Sequence, residues 1–179
     1  MRTAEILPST RTLQWAVVVV LVAGLLSFLV KGANLPADPY LREAAREPVE
    51  GFGEIAYRIN RTAPATRCAI LAQSAMQQSR GLAGHSDLSG YDGMLFAFPN
   101  DVTAGVPTRN VGLALSVAFF DAGGRFISST DTPPCGDGTD CAAPAPARPY
   151  RYALQAPQGA LPGLGAEEGA VLSVGGPCP

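Results

Sequence analysis

The stretch LQWAVVVVLVAGLLSFLV, residues 13–30, most constrains this chain: it is apolar throughout except for Gln14, Gly24 and Ser27. Wound as an α-helix at about 1.5 Å per residue, it would reach roughly 27 Å, close to the ~30 Å hydrocarbon core of a bilayer. A helix apolar on every face has no side to present to water, and this one precedes a stretch rich in proline, glycine and charge. We therefore read 13–30 as a transmembrane anchor. The run is longer than a secretory h-region, Lys31 follows it directly, and only weak small-residue cleavage sites are at hand. An uncleaved signal-anchor is expected; cleavage would instead give a secreted domain. Residues 1–12 then form a short cytoplasmic N-terminus. Residues 31–50, with Pro36, Pro39 and Pro48, form a linker, and 51–179 an extracytoplasmic domain.

Charge alone does not orient the anchor. Arg2 and Arg11 precede it, and Lys31, Arg42 and Arg46 follow it, so the positive-inside rule is nearly balanced. The cysteines decide. Cys68, Cys135, Cys141 and Cys178 all lie after the apolar run. An even number in an exported domain points to disulfides and to an oxidising compartment, which places the C-terminal domain outside the cytoplasm at the plasma membrane.

Four cysteines allow three connectivities. Cys135 and Cys141 stand with five residues between them in TPPCGDGTDCAAPAP, residues 132–146. A thioredoxin-like pair is C-x-x-C near a βαβ pattern, which this is not. Zinc needs four ligands, or three and a water, and the chain's single histidine, His85, is far along the sequence. A calcium loop using Asp137 and Asp140, with Asp131 nearby, lacks the further ligands and closing Glu of an EF-hand. The pair is therefore read as a staple, with no metal and no cofactor expected. Closing so short a loop is worth roughly 2.4 kcal/mol on the chain-entropy model. Cys68 lies in an apolar run and Cys178 just past the last apolar segment, so joining them would pin the end of the chain into the sheet. That loop exceeds about a hundred residues, for which the same model gives at most about 4.8 kcal/mol. The rival pairings would drag a Pro-rich loop onto the end of the sheet without adding core.

The net charge of −2, with Lys31 the only lysine, argues against nucleic acid as a partner. Beyond residue 51 the pattern is mostly that of strands: alternation over 54–60, apolar runs at 67–72 and 93–98, a hairpin of 115–120 and 125–130 about the turn DAGG, alternation again at 150–156, and a closing AVLSV at 170–174. SAMQQSRGLAG changes period, and Ser74 with Gln77 forms a capping-box signature for a short helix. Pro162 marks a second short helix or broken turn. The fold class expected is mostly β (β-rich α+β), a compact barrel-like or sandwich domain with one or two short helices, preceded by one transmembrane helix.

The order LAQSAMQQSRGLAG, DGMLFAFP, RN, LSVAFFDAGGRF, PPC…C and YRYALQAPQG resembles the DUF192 family, over about residues 55–174. Arg80-Gly81-Leu82, the strand at 93–99, Phe119-Phe120-Asp121 and the paired cysteines fall in family order. The resemblance implies a small β-rich, barrel-like domain with short helices, and no assigned activity. Where the family usually carries an aromatic-rich segment like FWMKNT, this chain has VPTRNV, residues 106–111; Arg109 and Asn110 match and the Trp, Met and Thr do not. Near the end, an Asp usual in the family is Ala170.

Arg80, Arg109 and Asn110 are the polar residues at family positions. A guanidinium forks onto carboxylates and other anions, so these three could hold an anionic ligand. The structural alternative, which we favour, has the arginines serving the fold, Arg80 by tying a loop through backbone carbonyls, and Asn110 taking a turn conformation. His85 with Asp87 and Asp92 suggests a Ser–His–Asp triad, but no nucleophile-elbow sequence accompanies it. No catalytic residue is assigned. The expectation is a membrane-tethered, extracytoplasmic, non-catalytic binding or interaction module for an envelope protein or small ligand. The alternative is an envelope enzyme acting on an anionic substrate held by Arg80, Arg109 and Asn110.

Overall fold

The strands at the centre of the sheet are buried on both faces, including residues 153–156, where the sequence suggested alternation. The structure, a computed structural model, describes residues 46–59, 65–137 and 140–179. The expected anchor at 13–30, the tail before it and most of the linker lie outside the described residues. Among the described residues no helix is long and apolar enough to cross a membrane.

The elements of the folded unit are β1 (Gly53–Ile59), β2 (Arg67–Ala72), α1 (Ala75–Arg80), β3 (Gly93–Val102), β4 (Leu115–Phe120), β5 (Phe126–Thr132), β6 (Tyr150–Pro157), α2 (Leu161–Leu164) and β7 (Leu172–Val174). They form one seven-stranded sheet in the order β5-β4-β6-β3-β2-β1-β7. Neighbouring strands are antiparallel except β2 and β3, which are parallel and joined through α1. The sheet curls into a half-barrel whose two edge strands meet at one end. There Arg125 bridges Val171, Phe126 N–H donates to Ala170 O at 3.0 Å, and Leu172 N–H donates to Gly124 O at 2.7 Å. Gly124 has φ +75°, and a Cβ on it would overlap Leu172 O, so this closure requires glycine. The mostly β fold with two short helices is as expected.

Both faces of the central strands are buried. Cys68, Ile70, Met94, Phe96, Val117 and Phe119 face one core; Ala69, Leu95, Ala118, Phe120 and Leu154 face the other, together with Leu161 of α2. This two-sided burial is why the first six residues of β3 and, apart from Ser116, all of β4 read as apolar runs rather than alternating ones. The α1 capping box is formed: Ser74 Oγ accepts from Gln77 N–H, and Gln77 Oε1 accepts from Ser74 N–H. None of the helix's own residues is buried. The segment after it supplies the covering layer, with Leu82, Leu88 and Tyr91 packed on the first core. Packing extends upstream of Gly51, since Val49 is buried against the same core and Glu47 N–H donates to Ser89 O at 3.0 Å.

The cysteines pair as Cys68–Cys178 and Cys135–Cys141, with Cα separations of 5.4 and 5.9 Å. Two disulfides indicate an oxidising, extracytoplasmic environment.

Candidate functional site: a cleft beneath the stapled loop

The Pro- and Cys-rich loop between β5 and β6 has no core of its own and folds back over residues 104–111. Cys135 N–H donates to Val111 O at 2.9 Å, Thr108 Oγ1 to Ala142 O at 2.6 Å, and Val106 N–H to Pro144 O at 3.0 Å. Gly105 lies so close beneath Ala143 O that a Cβ would overlap it. From β6, Tyr150 Oη donates to Ala104 O at 2.6 Å and Gln155 Nε2 to Pro107 O at 3.3 Å. Burial pushes the Tyr150 phenol up to about 12, so it stays a donor at any ordinary pH. Residues 104–111 are thus held between β6 and the stapled loop.

Between that loop and the end of β5 lies a cleft of about 500 Å³, lined by Thr108, Thr130, Asp131, Thr132, Asp140, Pro144 and the Cys135–Cys141 bridge, among others. Asp131 is the fixed charge within it. Ser116 Oγ donates to its Oδ1 at 2.5 Å and Gln158 Nε2 to its Oδ2 at 3.1 Å. These two bonds, Ser116 first, hold the carboxyl below its ordinary range. Ser116 is held in turn, its Oγ accepting from Gly159 N–H at 3.0 Å. The cleft therefore presents two carboxylates and three threonines, and no cationic side chain among its described lining residues.

Among the described residues, Asp131, Asp137 and Asp140, weighed from the sequence as a calcium loop, do not bring their carboxylate oxygens within 4.8 Å of one another. Among the described residues the group whose ligand atoms fall within 4.8 Å of one another is Glu54, Cys68 and Cys178. The triad suggested around His85 is not assembled either. Asp87 caps Ser89 N–H at 2.8 Å, while Asp92 accepts Cys68 N–H at 3.0 Å and pairs with Arg67 at 3.1 Å.

The three family-position residues lie on neighbouring segments, joined where Gly84 N–H donates to Asn110 O at 2.7 Å. None of them lines the cleft. Arg80 reaches Glu50 O at 3.4 Å and lies over the Phe52 ring at 5.4 Å, the loop-tying role expected of it. Asn110 has φ +55°, the turn conformation expected. Arg109 departs from the structural role favoured for it: its side chain is exposed and makes no ion pair or hydrogen bond with the described residues.

Sequence reasoning considered Asp131 only as an adjunct to calcium and missed Ser116, Gln158, Tyr150 and Gln155. A lone amide in the apolar YALQAP of β6 is the available signal for Gln155, which is fully buried and whose Oε1 has no partner among the described residues.

A curled β-sheet carrying a disulfide-stapled loop over a side cleft is the class of domain that this geometry defines. The profile of the DUF192 family, described as an uncharacterized ACR, matches residues 57–174, and the chain belongs to that family. No curated protein matches it. Two solved structures share the fold. One, from Sinorhizobium meliloti, is of a protein provisionally named a transcription regulator; it is 20% identical with a TM-score of 0.58, and the match covers 71% of this chain and 98% of that one. The other, of a protein of unknown function from Novosphingobium aromaticivorans, is 21% identical with a TM-score of 0.60, covering 72% of this chain and 91% of that one.

Proposed function

We propose that this protein is a membrane-tethered, extracytoplasmic binding module without catalytic activity, and that the cleft beneath the stapled loop takes a small cationic, amine-bearing ligand. The observation that carries the reading is Asp131, an exposed carboxylate fixed in place by two hydrogen bonds at a cleft of about 500 Å³ that Asp140 also lines. Fixed negative charge in a concave site raises the local concentration of cations and disfavours anions. The threonines supply neutral hydrogen-bonding groups for orientation. Among the described lining residues Asp131 has its carboxyl held below the ordinary range, which suits it to recognising charge rather than to serving as a general acid. The tether is the apolar run at 13–30.

The rival reading, an enzyme acting on an anion, draws on Arg109, whose guanidinium stands exposed and without an ion pair among the described residues, one residue from Thr108. Thermal melts of the full chain in detergent separate the two. Ligands that bind the folded state raise Tm by mass action. Spermidine and glucosamine should raise Tm, and Asp131→Asn should remove the rise. A rise given instead by citrate or phosphate and lost in Arg109→Ala would overturn the cationic reading in favour of the rival.

A further inference from the structure

On the paired strands β1 and β2, a carboxylate is aimed at a disulfide. Glu54 Oε2 on β1 lies 3.9 Å from Cys68 Sγ on β2 and accepts a hydrogen bond from Tyr91 Oη at 2.9 Å. Glu54 has no ion pair among the described residues. Cys68 is buried, Cys178 half-buried and Glu54 exposed, so the group has one face open to solvent. The three ligand atoms fall within 4.8 Å of one another.

We propose that Glu54, Cys68 and Cys178 form a binding site for a zinc-class divalent cation when the Cys68–Cys178 bridge is reduced, so that disulfide and metal are alternative occupants of one place. The geometry is close to that of a metal site. A tetrahedron with metal–ligand distances of about 2.0–2.3 Å has edges of roughly 3.3–3.8 Å. The Glu54–Cys68 separation of 3.9 Å nearly matches such an edge. The sulfurs need only separate to a similar distance once their bond is broken. Two thiolates and a carboxylate are a ligand set suited to a borderline-soft divalent ion, with water in the fourth position. Tyr91 fixes the carboxylate through its hydrogen bond, as outer partners of metal ligands commonly do.

The redox step needs a dithiol reductant. One of its thiolates attacks the half-buried Cys178 Sγ, and Cys68 leaves as a thiolate that takes up a proton. The second dithiol sulfur then resolves the mixed disulfide, so the reductant is oxidised to a disulfide and both cysteines become thiols. Binding of the divalent cation displaces two protons from those thiols.

The test uses the full chain in detergent, reduced with a phosphine and titrated with Co²⁺ as the spectroscopic probe. The oxidised protein should give no thiolate-to-cobalt band. The reduced protein should bind one equivalent with a thiolate-to-cobalt charge-transfer band, and Zn²⁺ should displace it. The double variant Cys135→Ser/Cys141→Ser should keep the band, Cys178→Ser should lose it, and Glu54→Gln should weaken binding on the order of 10-fold or more. Circular dichroism covers unfolding: a reduced chain that unfolds alone but regains structure with Zn²⁺ supports the site, and one that stays unfolded with Zn²⁺ refutes it. Absence of the band, its loss in the Cys135/Cys141 variant, or indifference to Glu54→Gln also overturns the proposal.

Discussion

Asp131 and Arg109 show how differently two charged residues can sit in one domain. Asp131 is tied by Ser116 and Gln158, and its folded pKa is depressed below the ordinary 3.8. A depressed carboxyl contributes stability that is present above the unfolded pKa and lost as pH falls through the folded one. Melts from pH 6 down to about 2 should therefore show an acid limb that flattens in Ser116→Ala, which removes the first of the two bonds; an unchanged limb would mean that Ser116 does not hold the charge. Arg109 has no such tie among the described residues. Arg109→Ala should leave stability within about 0.5 kcal/mol of wild type, as for a solvent-facing side chain, and a loss of 1–3 kcal/mol in urea unfolding would reveal a structural bond. Neither environment could be read from the sequence, because each depends on what a distant segment brings to the site. Ser116 is fifteen residues from Asp131 and meets it only because β4 and β5 pair with those two residues in register.

The elements were more legible than their surroundings. The box of Ser74 and Gln77 marked α1, β4 was read with its observed ends, and the turn after it fell on Asp121–Gly124, where Gly124 N–H donates to Asp121 O at 2.9 Å. Local signals of this kind are set by side chains within one turn of each other, so they survive in the sequence. Strand ends were less clear. β3 runs on to Val102, past Pro99 and Asn100, because a register shift between Ala97 and Val102 lets β6 keep pairing across an irregular stretch. Ser74→Ala should destabilise the domain by about 1 kcal/mol, the usual worth of an N-cap, whereas Phe119→Ala at the centre of β4 should cost about 3–5 kcal/mol. Equal losses in chemical denaturation would contradict the view that α1 is exposed and β4 part of the core.

At the scale of the whole molecule, the disulfide pairing followed from strand placement, and the mostly β class from composition and period. The strand order did not, since nothing local tells β6 to insert between β3 and β4. The cleft escaped for the same reason: it exists only where the stapled loop returns over residues 104–111. Gly105→Ala should disturb that return, since its Cβ would overlap Ala143 O, and should expose the loop to limited proteolysis while leaving the sheet's circular dichroism intact. A loop as resistant as wild type would argue against the close approach. The account as a whole rests on a domain in an oxidising environment closed by two bridges, and non-reducing peptide mapping of the protein taken from its native cells tests this most directly. The account predicts two linked peptide pairs, Cys68 with Cys178 and Cys135 with Cys141, and no thiol open to alkylation; crossed linkages, or four free thiols in freshly isolated protein, would contradict it.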